Sequence, residues 1–145
     1  MPEQRYPQAQ LLAQVPGVGP LTSVAYILTL EAPHRFKSSR AVGSYLGLRP
    51  RQADSGSREP QLRITKAGDP FLRRLLVGSA QYILGPFGAD TDLRRWRLAL
   101  AKRGGKSAKR RAVVAMARKL AVLLHRLWVT GQVYEPLRTK TAAKA

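Results

Sequence analysis

Two serines in the stretch Asp54-Ser55-Gly56-Ser57-Arg58 could do chemistry, because cations crowd them: Arg49, Arg51, Arg58, Arg63 and Lys66. A serine hydroxyl is a weak nucleophile at its ordinary pKa. A well-oriented one can nevertheless attack a phosphodiester whose charge is neutralised. Arginine suits that task, since its planar fork binds two phosphate oxygens at once. Taken alone, a polar Ser-Gly stretch is more often a solvated turn than a site. Support comes from Val15-Pro16-Gly17-Val18-Gly19-Pro20, which precedes the apolar run from Leu21 to Leu28. Without a Cβ, Gly17 and Gly19 can each take positive φ and bring the backbone, Val18 included, against a phosphate. The helix that starts at Pro20 adds unpaired N–H groups and the positive end of its dipole. This is a helix-hairpin-helix signature, which grips a nucleic-acid backbone without reading bases. Its plainer alternative is a tight helix–helix turn with no ligand.

A third basic feature is Lys102-Arg103-Gly104-Gly105-Lys106-Ser107-Ala108-Lys109-Arg110-Arg111. Gly104-Gly105-Lys106-Ser107 invites comparison with a nucleotide-binding P-loop, but position 100 is Leu where that motif needs its first glycine, and no strand precedes it. The six cations Lys102, Arg103, Lys106, Lys109, Arg110 and Arg111 fit a phosphate clamp better than a solvated connection.

Whole-chain composition agrees. Lys and Arg number 26 against 8 acidic residues, a formal net charge of +18 over 145 residues. Such an excess destabilises the compact state by self-repulsion, and a polyanionic partner relieves it. A membrane surface does not fit, because the charge is not confined to one amphipathic face and no apolar run is long enough to span a bilayer. With no cysteine, disulfides and thiolate metal sites are excluded. No secretory signal opens the sequence. The expected setting is cytoplasmic and nucleoid-associated, with DNA as partner.

The elements that must position these residues read as helices. Gln8 to Val15 forms a short helix, and Pro20 starts a second that ends near Leu30. Ser38 and Ser39 are N-caps for a third, closed by Gly47. From Arg49 to Arg63 helical periodicity is lost, and an irregular hairpin with a short strand over Gln61 to Thr65 is expected. Asp69 caps and Pro70 opens a helix through Leu72, Leu76 and Ile83. Asp90 and Asp92 are expected to cap a helix to Arg103 with Leu93, Trp96 and Leu100 inward. A long last helix runs from Ser107 to about Val129. Trp96, Trp128 and Tyr82 are read as core residues, and His125, on an apolar face, as a packed histidine rather than a ligand. The fold class is all-α, mostly helical. The expected units are a helix-hairpin-helix subdomain (1–48), a serine-bearing hairpin (49–68), a three-helix region with the basic loop (69–135) and a basic, disordered tail (136–145).

Several segments occur in one order: the hairpin Val15 to Thr22, His34-Arg35-Phe36-Lys37-Ser38, Tyr45-Leu46-Gly47-Leu48-Arg49-Pro50-Arg51, Ser55-Gly56, and Ile64-Thr65-Lys66-Ala67-Gly68-Asp69-Pro70-Phe71-Leu72. Ala117-Arg118-Lys119-Leu120-Ala121, Gly131 and Tyr134 follow. Over roughly residues 8–135 this succession resembles the C-terminal domain of insertion-sequence transposases that pair a RuvC-like DEDD domain with a serine-bearing domain. Where that family has Ser-Ser-Gly, this chain has Asp54-Ser55-Gly56-Ser57, and Asp69 stands in place of an asparagine.

The resemblance implies that Ser55 is the attacking residue, with Ser57 as the alternative. It would form a transient covalent link to a DNA end during transposition and recombination. It also implies a metal-binding acidic tetrad, and with it Mg2+, on the RuvC-like domain, and a structured guide RNA that selects the target. No cofactor is expected on this chain. The chain reads as the DNA-binding, serine-bearing part, truncated or separately encoded, with little strand transfer alone. Further partners are the RuvC-like domain or a second copy in a homo-oligomer. The alternative is a non-catalytic nucleic-acid-binding module that reuses the hairpin.

Overall fold

The longest helix organises the molecule. The computed structural model describes residues 7–48, 68–102 and 105–137. Among them the chain is mostly helical, as expected, and has no strand. The elements are α1 (Gln8–Leu12), α2 (Pro20–Leu30), a 3-10 turn (Pro33–Arg35), α3 (Ser39–Tyr45), α4 (Pro70–Leu84), α5 (Asp92–Ala101) and α6 (Lys106–Thr130).

Along α6, Met116, Ala117, Leu120, Ala121, Leu124 and Leu127 recur at helical spacing and are buried. The stripe is wide enough to take α1, α3, α4 and α5 around it. Leu12 of α1, Tyr26 and Leu30 of α2, Val42 of α3 and Leu72, Leu76 and Ile83 of α4 join it in one buried cluster. Residues on both sides of segment 49–67 therefore share a core. Deep in it, the Tyr26 hydroxyl donates to the Ala121 carbonyl at 2.6 Å, and the ring meets Trp128 edge-on at 6.4 Å. Burial pushes the phenol well above its usual pKa, so it stays a donor. Tyr26→Phe is expected to cost about 1 kcal/mol of stability, the net value of one hydrogen bond, measured by denaturant unfolding.

Local sequence decides most helix ends. Asp69 Oδ1 accepts from the Phe71 and Leu72 amides at 2.8 and 3.0 Å, with Pro70 next in the first helical position. Ser38 Oγ accepts more loosely from Ala41 N, at 3.4 Å. Gly47 at φ +74° closes α3 and Gly131 at φ +68° closes α6. Glu31, at φ +69°, ends α2 before Pro33 is reached.

Four expectations are corrected. The first helix stops at Leu12 rather than Val15, because the chain turns there into the hairpin. The side chain that caps the fifth helix is Thr91, whose Oγ1 accepts from Arg94 N at 3.2 Å; Asp92 stands in the first turn, where its charge suits the dipole, while Asp90 pairs with Arg95. The third and fourth corrections concern aromatic residues. Trp96 and Tyr82, read as core, are 44% and 53% exposed. Leu93 packs against the core as expected, and beside it a cation turns inward: Arg94 Nη1 donates to Ile83 O at 2.7 Å and also to Gly85 O, satisfying carbonyls at the end of α4.

Candidate nucleic-acid interface

The hairpin is built on one tight turn. Val18 N donates to Val15 O at 2.9 Å across Pro16 and Gly17, and Gly17 sits at φ +98°. Proline second and a positive-φ glycine third are the requirements of a type II turn. The turn rests on α4. A Cβ added to Gly17 would lie 2.8 Å from Ile83 Cγ1 and 3.5 Å from Tyr82 Cδ1. The close approach that Gly17 permits is thus to the protein's own helix. Val18 is buried, and its amide is spent on the turn.

Gly19 differs. It is extended, at φ −91° and ψ −179°, so positive φ is needed only at Gly17. Among the described residues beyond its two chain neighbours, no heavy atom lies within 4 Å of where a Gly19 Cβ would stand. Gly19 is also the N-cap of α2, and the intrahelical ladder starts at Ser23 N, which donates to Gly19 O at 3.0 Å. The amides of Leu21 and Thr22 precede that first bond, at the positive end of an 11-residue helix. Pro20 and Leu21 beside them are exposed. Of the three predicted hairpin residues, Gly19 is the one facing open space.

The basic run, expected as a loop leading into a helix at Ser107, enters that helix one residue earlier. α6 begins at Lys106, with Gly105 as a cap that has no side chain to offer, so Lys109, Arg110 and Arg111 occupy its first turns and are exposed. No acidic residue stands in that first turn. Cations gathered at the positive end of a helix dipole repel it and one another, the reverse of the stabilising arrangement. Lys102, exposed, follows the end of α5. Arg103 lies outside the described residues.

Ser55, Ser57, Arg49, Arg51, Arg58, Arg63 and Lys66, together with the expected strand, also lie outside them. The two ends of their segment are held at one place. A Cβ on Gly68, at φ +81°, would overlap the carbonyl oxygen of Tyr45, and Arg73 Nη1 donates to Leu46 O at 3.3 Å. The end of α3 and the start of α4, which flank 49–67 in sequence, are thus in contact.

The histidine behaves as read. His125 is buried, with Nε2 against Pro33 O and Nδ1 against Ser39 Oγ, both at 2.8 Å. A carbonyl only accepts, so Nε2 carries the proton, and Nδ1 accepts from the serine. His125 thereby ties the 3-10 turn and α3 to α6. Among the described residues, carboxylates do not assemble a cation site either. Asp69 caps α4, Asp90 pairs with Arg95 and Glu31 with Arg35. Among the described residues no group of three metal-ligating side chains converges. Nor is any described helix long and apolar enough to cross a membrane.

Two features escaped sequence reasoning. Gln14 holds the C-terminal segment, donating to Gln132 O at 3.2 Å and accepting from Tyr134 N at 2.8 Å. On α5 and α6, Arg97 and Lys119 lie over the Trp96 ring, and the charge of Arg118 acts on Arg97. Gln14 meets the C-terminal segment, and Lys119 and Arg118 meet α5, across long stretches of sequence.

With the hairpin and the basic helix start placed, comparison with known proteins gives the class. The model of the transposase IS116/IS110/IS902 family matches residues 9–90. The transposase for insertion sequence element IS1111A of Coxiella burnetii is 36% identical over 126 residues, 86% of this chain and 34% of that protein. A probable family 20 transposase of Pseudomonas aeruginosa is 32% identical over 128 residues, 88% of this chain and 37% of its own length. A pilin gene-inverting protein of Moraxella lacunata is 30% identical over 123 residues, 84% of this chain and 37% of that protein. The chain belongs to the IS116/IS110/IS902 transposase family. It spans about a third of the length of these curated relatives.

Proposed function

We propose that this chain is the DNA-binding, serine-bearing part of a transposase that cleaves and exchanges strands through a serine–DNA phosphodiester. Ser55 is the attacking hydroxyl, with Ser57 the alternative, and Arg49, Arg51, Arg58, Arg63 and Lys66 surround the scissile phosphate. Gly19 and the start of α2 hold the backbone away from the chemistry, as do Lys102, Arg103, Lys106, Lys109, Arg110 and Arg111. A RuvC-like domain would carry the acidic tetrad and its Mg2+. The carboxylates described in this chain do not fit that ion. A guide RNA and a second copy of the chain complete the expected partners.

The observation that carries this reading is the start of α6. A 25-residue helix opens on Lys106 and presents exposed Lys109, Arg110 and Arg111, with no acidic residue in its first turn. Folding alone gives no reason to collect cations there, whereas a polyanion supplies one. Family membership and the relative named for gene inversion support strand exchange as the purpose of that binding.

Backbone contact has a measurable signature. If hairpin and basic helix start neutralise about five phosphates, log K for duplex DNA should fall with log salt at a slope of about −4 to −5, with weak sequence preference. Fluorescence anisotropy at several salt concentrations measures it. Binding that is indifferent to salt would overturn this part of the proposal.

A further inference from the structure

Trp96 is exposed where its spacing on α5 placed it inward, and cations surround it. The Arg97 guanidinium lies over the indole at 3.5 Å from the ring centroid, and Lys119 Nζ approaches to 5.4 Å. Arg118, whose stem would press a Cβ on Gly43 at 3.1 Å, sits close enough to act on Arg97. Burial first, and the charge of Arg118 second, lower the pKa of the Arg97 guanidinium. Arg97 Nε is buried without a hydrogen-bond partner among the described residues. Neither salt bridge found among those residues reaches Arg97, Arg118 or Lys119.

This arrangement is costly for a folded protein by itself. Like charges are held together, one is partly desolvated, and an aromatic face takes the place of a counter-ion. An anion repairs all three defects. Beside the indole, an open groove of about 310 Å³ runs between α5, α6 and the C-terminal segment, with Leu123, Arg126 and Tyr134 along it. That volume accommodates one planar base. Asp92 and Glu135 line the groove too. The field of Asp92 is felt at Arg95 and Tyr134, whereas the charge felt at Arg97 is that of Arg118.

We propose that Trp96, Arg97, Arg118 and Lys119 form a site for one unpaired nucleotide of a nucleic-acid strand. The cations take its phosphate and the open part of the indole takes its base. The site is distinct from the hairpin and the start of α6. It extends the nucleic-acid reading above, on which it rests, from duplex backbone to a single-stranded segment, the form a strand takes at a cleaved end or in an RNA loop.

The test uses the full chain and three labelled probes: oligothymidylate, oligouridylate and a duplex of equal length. In a Trp128→Phe background, the single-stranded probes should quench the remaining Trp96 emission. Trp96→Ala should weaken binding of the single strands about tenfold, in the range of one base–aromatic stack, and leave the duplex unaffected. Trp96→Phe should restore part of the loss. Arg97→Met keeps the stem over the ring and removes the repelled charge. It should lower single-strand affinity and reduce the salt slope by about 0.7, while the melting temperature stays or rises. A merely structural cation–aromatic pair would instead lose melting temperature. Tighter binding of oligothymidylate identifies the strand as DNA, and of oligouridylate as RNA. Parent-like binding of single strands by both Trp96→Ala and Arg97→Met overturns this site alone. If the parent binds no probe at all, the underlying nucleic-acid reading fails with it.

Discussion

Ser55→Ala is expected to abolish the covalent protein–DNA adduct and strand exchange in a reaction supplied with a RuvC-like domain. Affinity for DNA should stay within about 1 kcal/mol of the parent, because one hydroxyl contributes roughly one hydrogen bond to ground-state binding. The asymmetry follows from the chemistry. In the proposed step the Ser55 Oγ–P bond forms as one P–O bond of the strand breaks, the hydroxyl proton is lost, and the departing oxygen takes a proton. Alanine has no atom to make that bond, so the loss falls on the transition state and not on binding. A nicked suicide substrate, which prevents resealing, traps the adduct, and a denaturing gel counts it. Ser57→Ala should reduce the adduct far less. If Ser57→Ala is instead the dead variant, the nucleophile stands two residues further on. If both variants still form the adduct, the serine mechanism fails and the chain is a binding module.

Family and fold were legible in the sequence to different depths, and the difference tracks how local each signal is. Asp69-Pro70 and Ser38 announced helix starts, because a cap acts on amides two or three residues away. The apolar spacing from Val113 to Leu127 likewise announced α6. On α5 periodicity served for Leu93 and misled for Trp96. The spacing of Leu93, Trp96 and Leu100 describes a helix face, yet nothing in it says whether core or cation-lined groove lies opposite. The structure places Lys119 beside Trp96 and turns Arg94 inward to the end of α4. That end is 9 to 11 residues away in sequence, beyond any helical repeat. Gln14 is the extreme case, reaching partners 118 and 120 residues on. In the candidate interface, the basic run was legible both as charge and as the approach to a helix, placed one residue late at Ser107 because neutral Gly105 supplies no side-chain cap to mark the boundary. The two hairpin glycines, alike in sequence, part company only once α4 is seen against one of them.

That parting yields the sharpest structural prediction. Gly17→Val is expected to destabilise the fold by about 3 kcal/mol or more. A β-branched residue at φ +98° costs on the order of 1–3 kcal/mol in backbone strain. Its Cβ would also fall 2.8 Å from Ile83 Cγ1, inside the core, where overpacking adds about 1–3 kcal/mol. Against a typical total of about 5–15 kcal/mol, this should lower the melting temperature by about 10 °C, read by circular dichroism. DNA binding would then fail for lack of a folded hairpin, which says nothing about the phosphate. Gly19→Val separates the two causes. The backbone there is extended, which valine favours, and the space is open, so folding should lose about 1 kcal/mol at most, from the poorer N-cap. If a phosphate approaches α2 at this point, the added isopropyl group blocks it. Duplex affinity should then drop about tenfold, the order expected for one charge-assisted hydrogen bond. A folded Gly19→Val protein that binds duplex as tightly as the parent would remove the hairpin from the interface and leave the start of α6 to carry it.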